Sequence, residues 1–499
     1  MRYLGAAQVA RLADVPAEAR PYYRALADAV RALILDGRIP VRVRMPAERH
    51  LAATLGVSRT TVTAAYDLLR ERGYLESRQG SGSWTALPDP AVTADNPWLA
   101  TGQDGLIQLH AAAPAAPSAL REAMAEAVED LPRYGMGNGY DPMGLPVLRE
   151  RIAARYTARG LATRPEQILV TTGSQHALHL SMSLLAGPGD PVLVESPTYT
   201  HALDAARQRG ARLVPVGISH EGWQADLVAC ALRQSAARVA YLMPDFQNPT
   251  GALMDDATRA AIAGAARRTD TSIVIDETWA ELDLDHGLDH DLARRPGDGL
   301  ARGLDLDGRV AGHAPMAAFD TDNRMITIGS ASKLWWGGLR IGWLRASAAL
   351  IRRLTVRRAA VDIASPVLEQ LVVARLFDRL EETRAERLRG LRASRATLVA
   401  ALRERLPAWE FAVPRGGGAL WVRLDSGSAV SLSEAAATRG VRLAPGPWFG
   451  VEGTLEGYLR LPYTLPPAVL EEAVERVVAA RDHGPAGAGR PADALVPMV

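Results

Sequence analysis

The apolar positions of this 499-residue chain fall into two regimes. From about Gly105 onward, short apolar runs recur between longer amphipathic stretches: "ILVTTG", "PVLVES", "RLVPV", "RVAYLMP", "TSIVIDE" and "MITIGS". Runs of this length, bounded by turn residues, predict buried strands with room for a helix between successive ones. That alternation predicts a wound α/β fold with a mostly parallel sheet. From about Val361, long Arg- and Glu-rich helical stretches precede a smaller terminal α+β part.

Upstream the pattern is that of short helices. Leu26, Val30, Leu33 and Ile34 share one helical face after Pro21, with Gly37 as the stop. Pro46 opens a second predicted helix over Ala47 to Leu55, ended by Gly56. Ser58 is a good N-cap for a third, which runs from Arg59 through Leu69 and stops at Gly73. Tyr74 to Arg78 and Ser83 to Thr85 flank Gln79-Gly80-Ser81-Gly82, a predicted β-hairpin. Residues 1–20 are Ala-rich and carry no clear signal. The division predicted is 20–85 for the helical unit with its hairpin, 86–104 for a linker, 105–482 for the large unit and 483–499 for a disordered tail. Residues 283–322 read as a polar insertion whose His286, His290 and His313 lack metal-site spacing, so no metal is expected.

Charge sharpens the reading of the first unit. Residues 20–85 hold 11 Arg against 6 acidic residues, a net of +5; the whole chain carries +1, so the remainder carries −4. A basic helix-turn-helix with a hairpin wing predicts contact with double-stranded DNA, although the same helices also suit any small bundle. Ser58, Arg59, Thr60 and Thr61 put short donors and a guanidinium at the start of the third helix, where base edges and phosphates are in reach. The run "MPAERHLAATLGVSRTTVTAAYDLLRERGYLESRQGSG" resembles the winged helix of GntR-type transcription regulators. The family often has Pro-Gly before this run, where Val41-Arg42-Val43 stands here. The resemblance implies that Arg49, Ser58, Arg59, Thr60, Thr61 and wing residue Gly80 touch DNA.

The rest of the composition excludes more than it selects. With 48% hydrophobic and 23% charged residues it is ordinary for a globular protein, and no apolar run is long enough to span a bilayer. Cys230 is the sole cysteine, which excludes an intrachain disulfide and a cysteine metal cluster. No signal-peptide pattern opens the chain, and a cytoplasmic location is expected.

One basic residue stands apart. Of the 57 Lys and Arg residues, only Lys333 is a lysine. Arginine serves solubility, ion pairing and phosphate contact, but it does not give up its proton in a protein; a primary amine does, and then condenses with an aldehyde. Separated stretches carry the partners that such chemistry on pyridoxal 5'-phosphate requires. A protonated ring nitrogen needs a carboxylate, and Asp276 closes the strand "SIVID"; an Asp there is also a common strand cap. Asn248 in "QNPTG" can donate to the phenolic oxygen, or be a plain turn residue. Gly173, Ser174 and Gln175 in "TTGSQHAL" form a strand-to-helix anion seat, with Ser330, Ser332 and Arg340 to complete a phosphate cradle.

Together "NPTG", the Asp-Glu pair at 276–277 and "SASKLWWGGLRIGW" resemble fold-type I aminotransferases. That resemblance implies that Tyr140 reaches the phosphate of a partner subunit in a homodimer and that Tyr199 stacks on the ring. It also implies that Arg460 pairs with a substrate carboxylate, unless it serves a structural ion pair. One departure is plain: where these enzymes usually have Tyr three residues after the aspartate, this chain has Trp279, which puts efficient transamination in doubt. The two halves together resemble the MocR subfamily of GntR-type regulators. The expected function is a pyridoxal-phosphate-dependent DNA-binding regulator that senses an amino compound through Schiff-base exchange at Lys333. The alternatives are an active aminotransferase with an accessory N-terminal domain, and a DNA-binding protein whose large domain only dimerises.

Overall fold

The computed structural model describes residues 3–78, 82–88, 105–219, 221–285, 313–451 and 453–483. Gly80, His286, His290, residues 89–104 of the expected linker and residues 484–499 of the expected tail lie outside them.

The N-terminal unit has four helices, α1 (Ala6–Ala13), α2 (Tyr22–Leu35), α3 (Glu48–Leu55) and α4 (Arg59–Glu71), followed by the two strands of a wing, β1 (Leu75–Arg78) and β2 (Gly82–Thr85). Its core is the predicted apolar face: Leu26, Val30, Leu33 and Ile34 of α2 meet Leu51 of α3 and Val62, Tyr66 and Leu69 of α4. Ser58 caps α4 by accepting from the Thr61 N–H at 3.1 Å, and the α3–α4 turn passes through Gly56 at φ +66°. The wing pairs antiparallel with Leu75 opposite Thr85. Helix α1 lies in the stretch that carried no clear signal. Its "AAQVARLA" buries Val9 and Leu12 on one face, but eight residues are only about two turns, too short for a periodic signal, and it is held by packing on α3.

After β3 (Ile107–Gln108), α5 (Leu120–Asp130) and α6 (Pro146–Ala158), the large unit is a seven-stranded sheet: β4 (Ile168–Thr171), β5 (Pro191–Ser196), β6 (Arg212–Gly217), β7 (Val239–Leu242), β8 (Ser272–Asp276), β9 (Met325–Ser330) and β10 (Gly342–Arg345). The order is β4-β10-β9-β8-β7-β5-β6. Only β10 runs antiparallel to its neighbours, β4 and β9. Strands with helices on both faces bury every side chain, which is why β4, β7 and β9 are buried along their whole length. Strand β10 did not stand out in the chain because four residues with Gly at the front give no periodicity; it is a strand because it completes both neighbours.

Helix α7 (Gly173–Leu185) follows β4. The smaller C-terminal part combines the helices Leu380–Arg405 and Pro467–His483 with a sheet of β11 (Ala419–Arg423), β13 (Ala444–Pro445) and β14 (Tyr458–Pro462) in the order β11-β14-β13. Strand β12 (Val441–Arg442) pairs with β3, tying this part back to the entry of the large unit. Among the described residues no helix is long and apolar enough to cross a membrane.

Gly144 opens α6 at φ +91°, where a Cβ would lie 2.5 Å from Val170 Cγ2 of β4. Both backbone conformation and space therefore require glycine. Gly144→Ala is expected to destabilise the large unit by about 1–3 kcal/mol, seen as an earlier transition in scanning calorimetry; an unchanged transition contradicts this packing.

Candidate functional site

The carboxyl ends of the parallel strands are where an open α/β sheet places its ligand. Here they open into a cleft of about 460 Å³. Asp276 is the last residue of β8, and Lys333 sits in the short helix Ala331–Leu334 directly after β9. Ser330 caps that helix, its hydroxyl accepting from Ser332 N–H at 3.1 Å. Ser174, Gln175, Tyr199, Asn248, Asp276, Ser332, Lys333, Arg340 and Arg460 all line the cleft. Gly173, the first residue of α7, and Ser330, the last of β9, adjoin them.

Lys333 Nζ donates to the Ala112 carbonyl at 2.7 Å and stands 4.9 Å above the Trp279 ring centroid. Burial, with nearby Arg460 adding to it, lowers the ammonium to about 8, while Asp276 opposes the shift. Desolvation disfavours a charge that water would otherwise solvate. Asp276 is held on both oxygens: Tyr241 OH donates to Oδ2 at 2.7 Å and Thr278 N–H donates to Oδ1 at 2.9 Å.

The anion seat is built by close approach. Gly342 of β10 lets the Gly173 turn sit against it, since a Cβ at 342 would lie 2.5 Å from Gly173 C. Gly173, at φ +81°, admits the Arg340 guanidinium, for a Cβ there would meet Nη2 at 2.6 Å. The first N–H groups of α7 and Arg340 thus converge on one point, and Gln175 Oε1 is buried there with no partner among the described residues.

Arg460, on β14, is 7% exposed. It donates to Asn248 Oδ1 at 3.0 Å and to the His110 carbonyl, and lies over the Phe449 ring, 4.8 Å to the centroid. A guanidinium cannot accept a hydrogen bond, so the Asn248 oxygen must face it, leaving the Asn248 NH₂ as a donor. Among the described residues no carboxylate pairs with Arg460, and its Nε has no partner. Burial lowers it to about 10, still cationic at neutral pH.

Several contributors had no signal strong enough to be singled out. Tyr241 reads as one more apolar residue of β7, yet it orients Asp276. Phe449 and Trp448 arrive from a loop far along the chain. Glu195, at the end of β5, accepts from Trp223 Nε1, Met243 N–H and Gln247 Nε2; burial pushes it up to about 7. Tyr140 is not in the cleft: it is 64% exposed, on the loop before α6. His313 lies 3.7 Å from Asp256 on the surface.

On the winged helix, Arg49, Ser58, Arg59 and Thr60 are exposed and Thr61 half-buried. The Ser58 hydroxyl contacts Thr60 Oγ1 at 2.7 Å and Thr61 Oγ1 at 2.8 Å. Arg59, 73% exposed, lies 3.6 Å from Glu48, and with Arg44 and Arg49 it borders a groove between α3, α4 and the wing.

Comparison with known proteins agrees with both halves. The model of the bacterial regulatory proteins, gntR family, matches residues 22–84, and that of aminotransferase class I and II matches residues 106–477. The chain is 30% identical to the probable rhizopine catabolism regulatory protein MocR of Rhizobium meliloti, over 78% of each chain. The chain belongs to the MocR subfamily of GntR-type regulators. A second relative, the uncharacterized HTH-type transcriptional regulator YisV of Bacillus subtilis, is 27% identical over 85% of this chain and 87% of its own. Among solved structures, the α-aminoadipate aminotransferase LysN of Thermus thermophilus, complexed with N-(5'-phosphopyridoxyl)-L-leucine, superposes with TM-score 0.65 at 28% identity, covering 76% of this chain and 92% of its own.

As a MocR-type regulator the chain binds DNA through its winged helix and pyridoxal phosphate in the large domain. The cleft fits that cofactor: a carboxylate for the ring nitrogen, an amide donor, an amine within the same cleft, and a glycine-opened seat with an arginine for the phosphate.

Two outcomes are expected. The rate at which cofactor-free protein takes up pyridoxal phosphate should rise with pH and level off above about 8, because the neutral amine is the reacting form and Lys333 reaches it there; a midpoint near that of a free lysine, about 10.4, contradicts the burial. Arg59→Ala should weaken DNA binding roughly 5- to 150-fold in a filter or anisotropy titration without altering cofactor uptake, since an exposed pair with Glu48 adds little stability. Unchanged binding rejects Arg59 as a DNA contact.

Proposed function

We propose that this regulator senses an amino compound through Schiff-base exchange at Lys333, and that it works as a homodimer. The observation that carries the reading is the pairing of groups in one cleft. The chain's only lysine is half-buried there, and the buried Arg460 lacks an anionic partner among the described residues. An uncompensated buried cation is costly unless a ligand supplies the missing charge. A small molecule with a primary amine and a carboxylate meets both requirements.

Pyridoxal phosphate, when bound, supplies an aldehyde carbon open to attack by a primary amine. The chain's part is to hold the reactants. Asp276, fixed by Tyr241 and Thr278, would keep a proton on the ring nitrogen; Asn248 NH₂ would donate to the phenolic oxygen; Tyr199 would cover the ring. Ser174, Gln175, Ser332 and Arg340 would hold the phosphate, and the exposed Tyr140 would reach that of a partner subunit. Lys333, its ammonium lowered toward neutrality, would take and release a proton at Nζ. A ligand then shifts the balance between two arrangements of the protein by its differential affinity for them.

Trp279 supports sensing over turnover. Its indole lies under Lys333, in space opened by Gly418, at the position where aminotransferases carry a tyrosine hydroxyl. The intact set of Lys333, Asp276, Asn248 and Arg460 supports a second reading, an active aminotransferase with an accessory DNA-binding domain.

Lys333→Arg should keep fold and charge, abolish borohydride fixation of the cofactor, and abolish the effect of amino compounds on DNA affinity. A variant that still responds on DNA rules out exchange at Lys333. Sustained conversion of an amino acid and a keto acid by the wild type would favour the enzyme reading.

A further inference from the structure

The winged helix is docked on the segments that hold the cleft's ligand-facing side chains. The C-terminal end of α2 makes this contact. Leu455 N–H donates to the Leu35 carbonyl at 2.8 Å. Gly37, at φ +67°, lies so close that a Cβ would meet Ser196 Oγ at 2.9 Å and Thr454 Oγ1 at 3.5 Å. Asp36, which closes α2, borders one cavity with Tyr458 and Arg423, and both side chains act on its carboxyl.

Tyr458 and Arg460 both lie on β14, two positions apart, and therefore share a face. Across from them on β11, Arg423 pairs with Tyr458 and Trp421 with Arg460. The aromatic rings on this face are continuous. Phe449 lies under the Arg460 guanidinium at 4.8 Å. Its ring meets Trp421 edge-on at 5.6 Å, and Trp421 stacks on Tyr458 at 5.1 Å with 7° between the planes. Tyr458 ends the series at the cavity that Asp36 also borders. The loop that carries Phe449 is bonded to the Tyr199 turn: Thr198 N–H donates to the Phe449 carbonyl at 2.9 Å, and Thr200 Oγ1 donates to that of Trp448 at 2.8 Å.

We infer that Phe449, Trp421 and Tyr458 form an aromatic relay that reports the state of Arg460 in the cleft to Asp36 on the DNA-binding domain. Arg460 has two arrangements available: held by Asn248 and the His110 carbonyl, as in this structure, or drawn onto a ligand carboxylate. Phe449 lies beneath the guanidinium, so a shift of Arg460 moves the first ring. Close-packed rings pass on a displacement rather than absorb it. A cavity of about 460 Å³ bounded by Asp36, Arg38, Pro197, Trp421 and Tyr458 leaves room for the far end to move. The relay rests on the sensing reading proposed above, and it names Trp421 and Tyr458 as positioning residues that need not touch the ligand.

The test uses full-length, cofactor-loaded protein, duplex DNA selected by the wild type from a random-sequence pool, and aminooxyacetate, a carboxylate bearing a reactive amine. Cofactor absorbance and DNA affinity are each measured with and without the probe. Tyr458→Phe keeps the stack and removes only the hydroxyl; Trp421→Leu removes the stack, and Trp421→Tyr restores part of it. All three should keep the wild-type absorbance response. The probe-induced change in DNA affinity should shrink roughly 3- to 10-fold in Tyr458→Phe, at least as much in Trp421→Leu, and less in Trp421→Tyr. A wild type whose absorbance ignores aminooxyacetate refutes the sensing reading and the relay with it. A wild type that responds in absorbance refutes the relay alone if its DNA affinity ignores the probe, or if Tyr458→Phe and Trp421→Leu keep its full effect.

Discussion

A primary amine drawn partly out of water, within one cleft with a carboxylate and an uncompensated guanidinium, is the constraint around which this molecule is arranged. Half-buried Lys333 contacts the Ala112 carbonyl and the Trp279 face. Placing it there requires β8 and β9 to end side by side, and their parallel pairing, with Asp276 opposite Ile328, ensures that they do. The cost of burying Asp276 is offset by Tyr241 and Thr278, that of Arg460 only in part by neutral oxygens. The cleft is therefore poised for a ligand that brings negative charge.

The same constraint explains the glycines and the antiparallel strand. An anion seat needs backbone N–H groups and an arginine within a few ångströms, and side chains at 173 or 342 would close that space. Strand β10 delivers Gly342 to the Gly173 turn only because it returns between β4 and β9. The winged helix is joined to this assembly at the end of α2, beside β14 and the turn after β5, so the DNA-binding domain leans on the segments a bound ligand would disturb.

Much of this was legible along the chain, for physical reasons. The parallel strands announced themselves as continuous apolar runs because both faces of the sheet are covered. Helices α2 to α4 carried caps and one-sided apolar faces, and the basic excess of that unit pointed to DNA. Helix α1 was hidden because it is only eight residues long, and β10 because four residues carry no period. In the cleft, residues with unusual chemistry were readable: a lone lysine, an aspartate closing an apolar strand, glycine beside serine at a helix start. Tyr241 and Phe449 were not, since an aromatic residue in an apolar stretch looks the same whether it fills a core or orients a carboxylate.

What the chain carried by itself was the identity and order of its reactive groups, because an amine, a carboxylate or a left-handed glycine is a property of a single residue and its near neighbours. What folding alone decided was which of them meet. Arg460 facing Asn248 across 212 positions, Lys333 resting on Trp279, and rings from β11, β14 and the Phe449 loop stacked into one series all depend on strand order and close packing. Those are contacts between residues far apart in the chain, and no local pattern encodes a distance that only the packed sheet brings about.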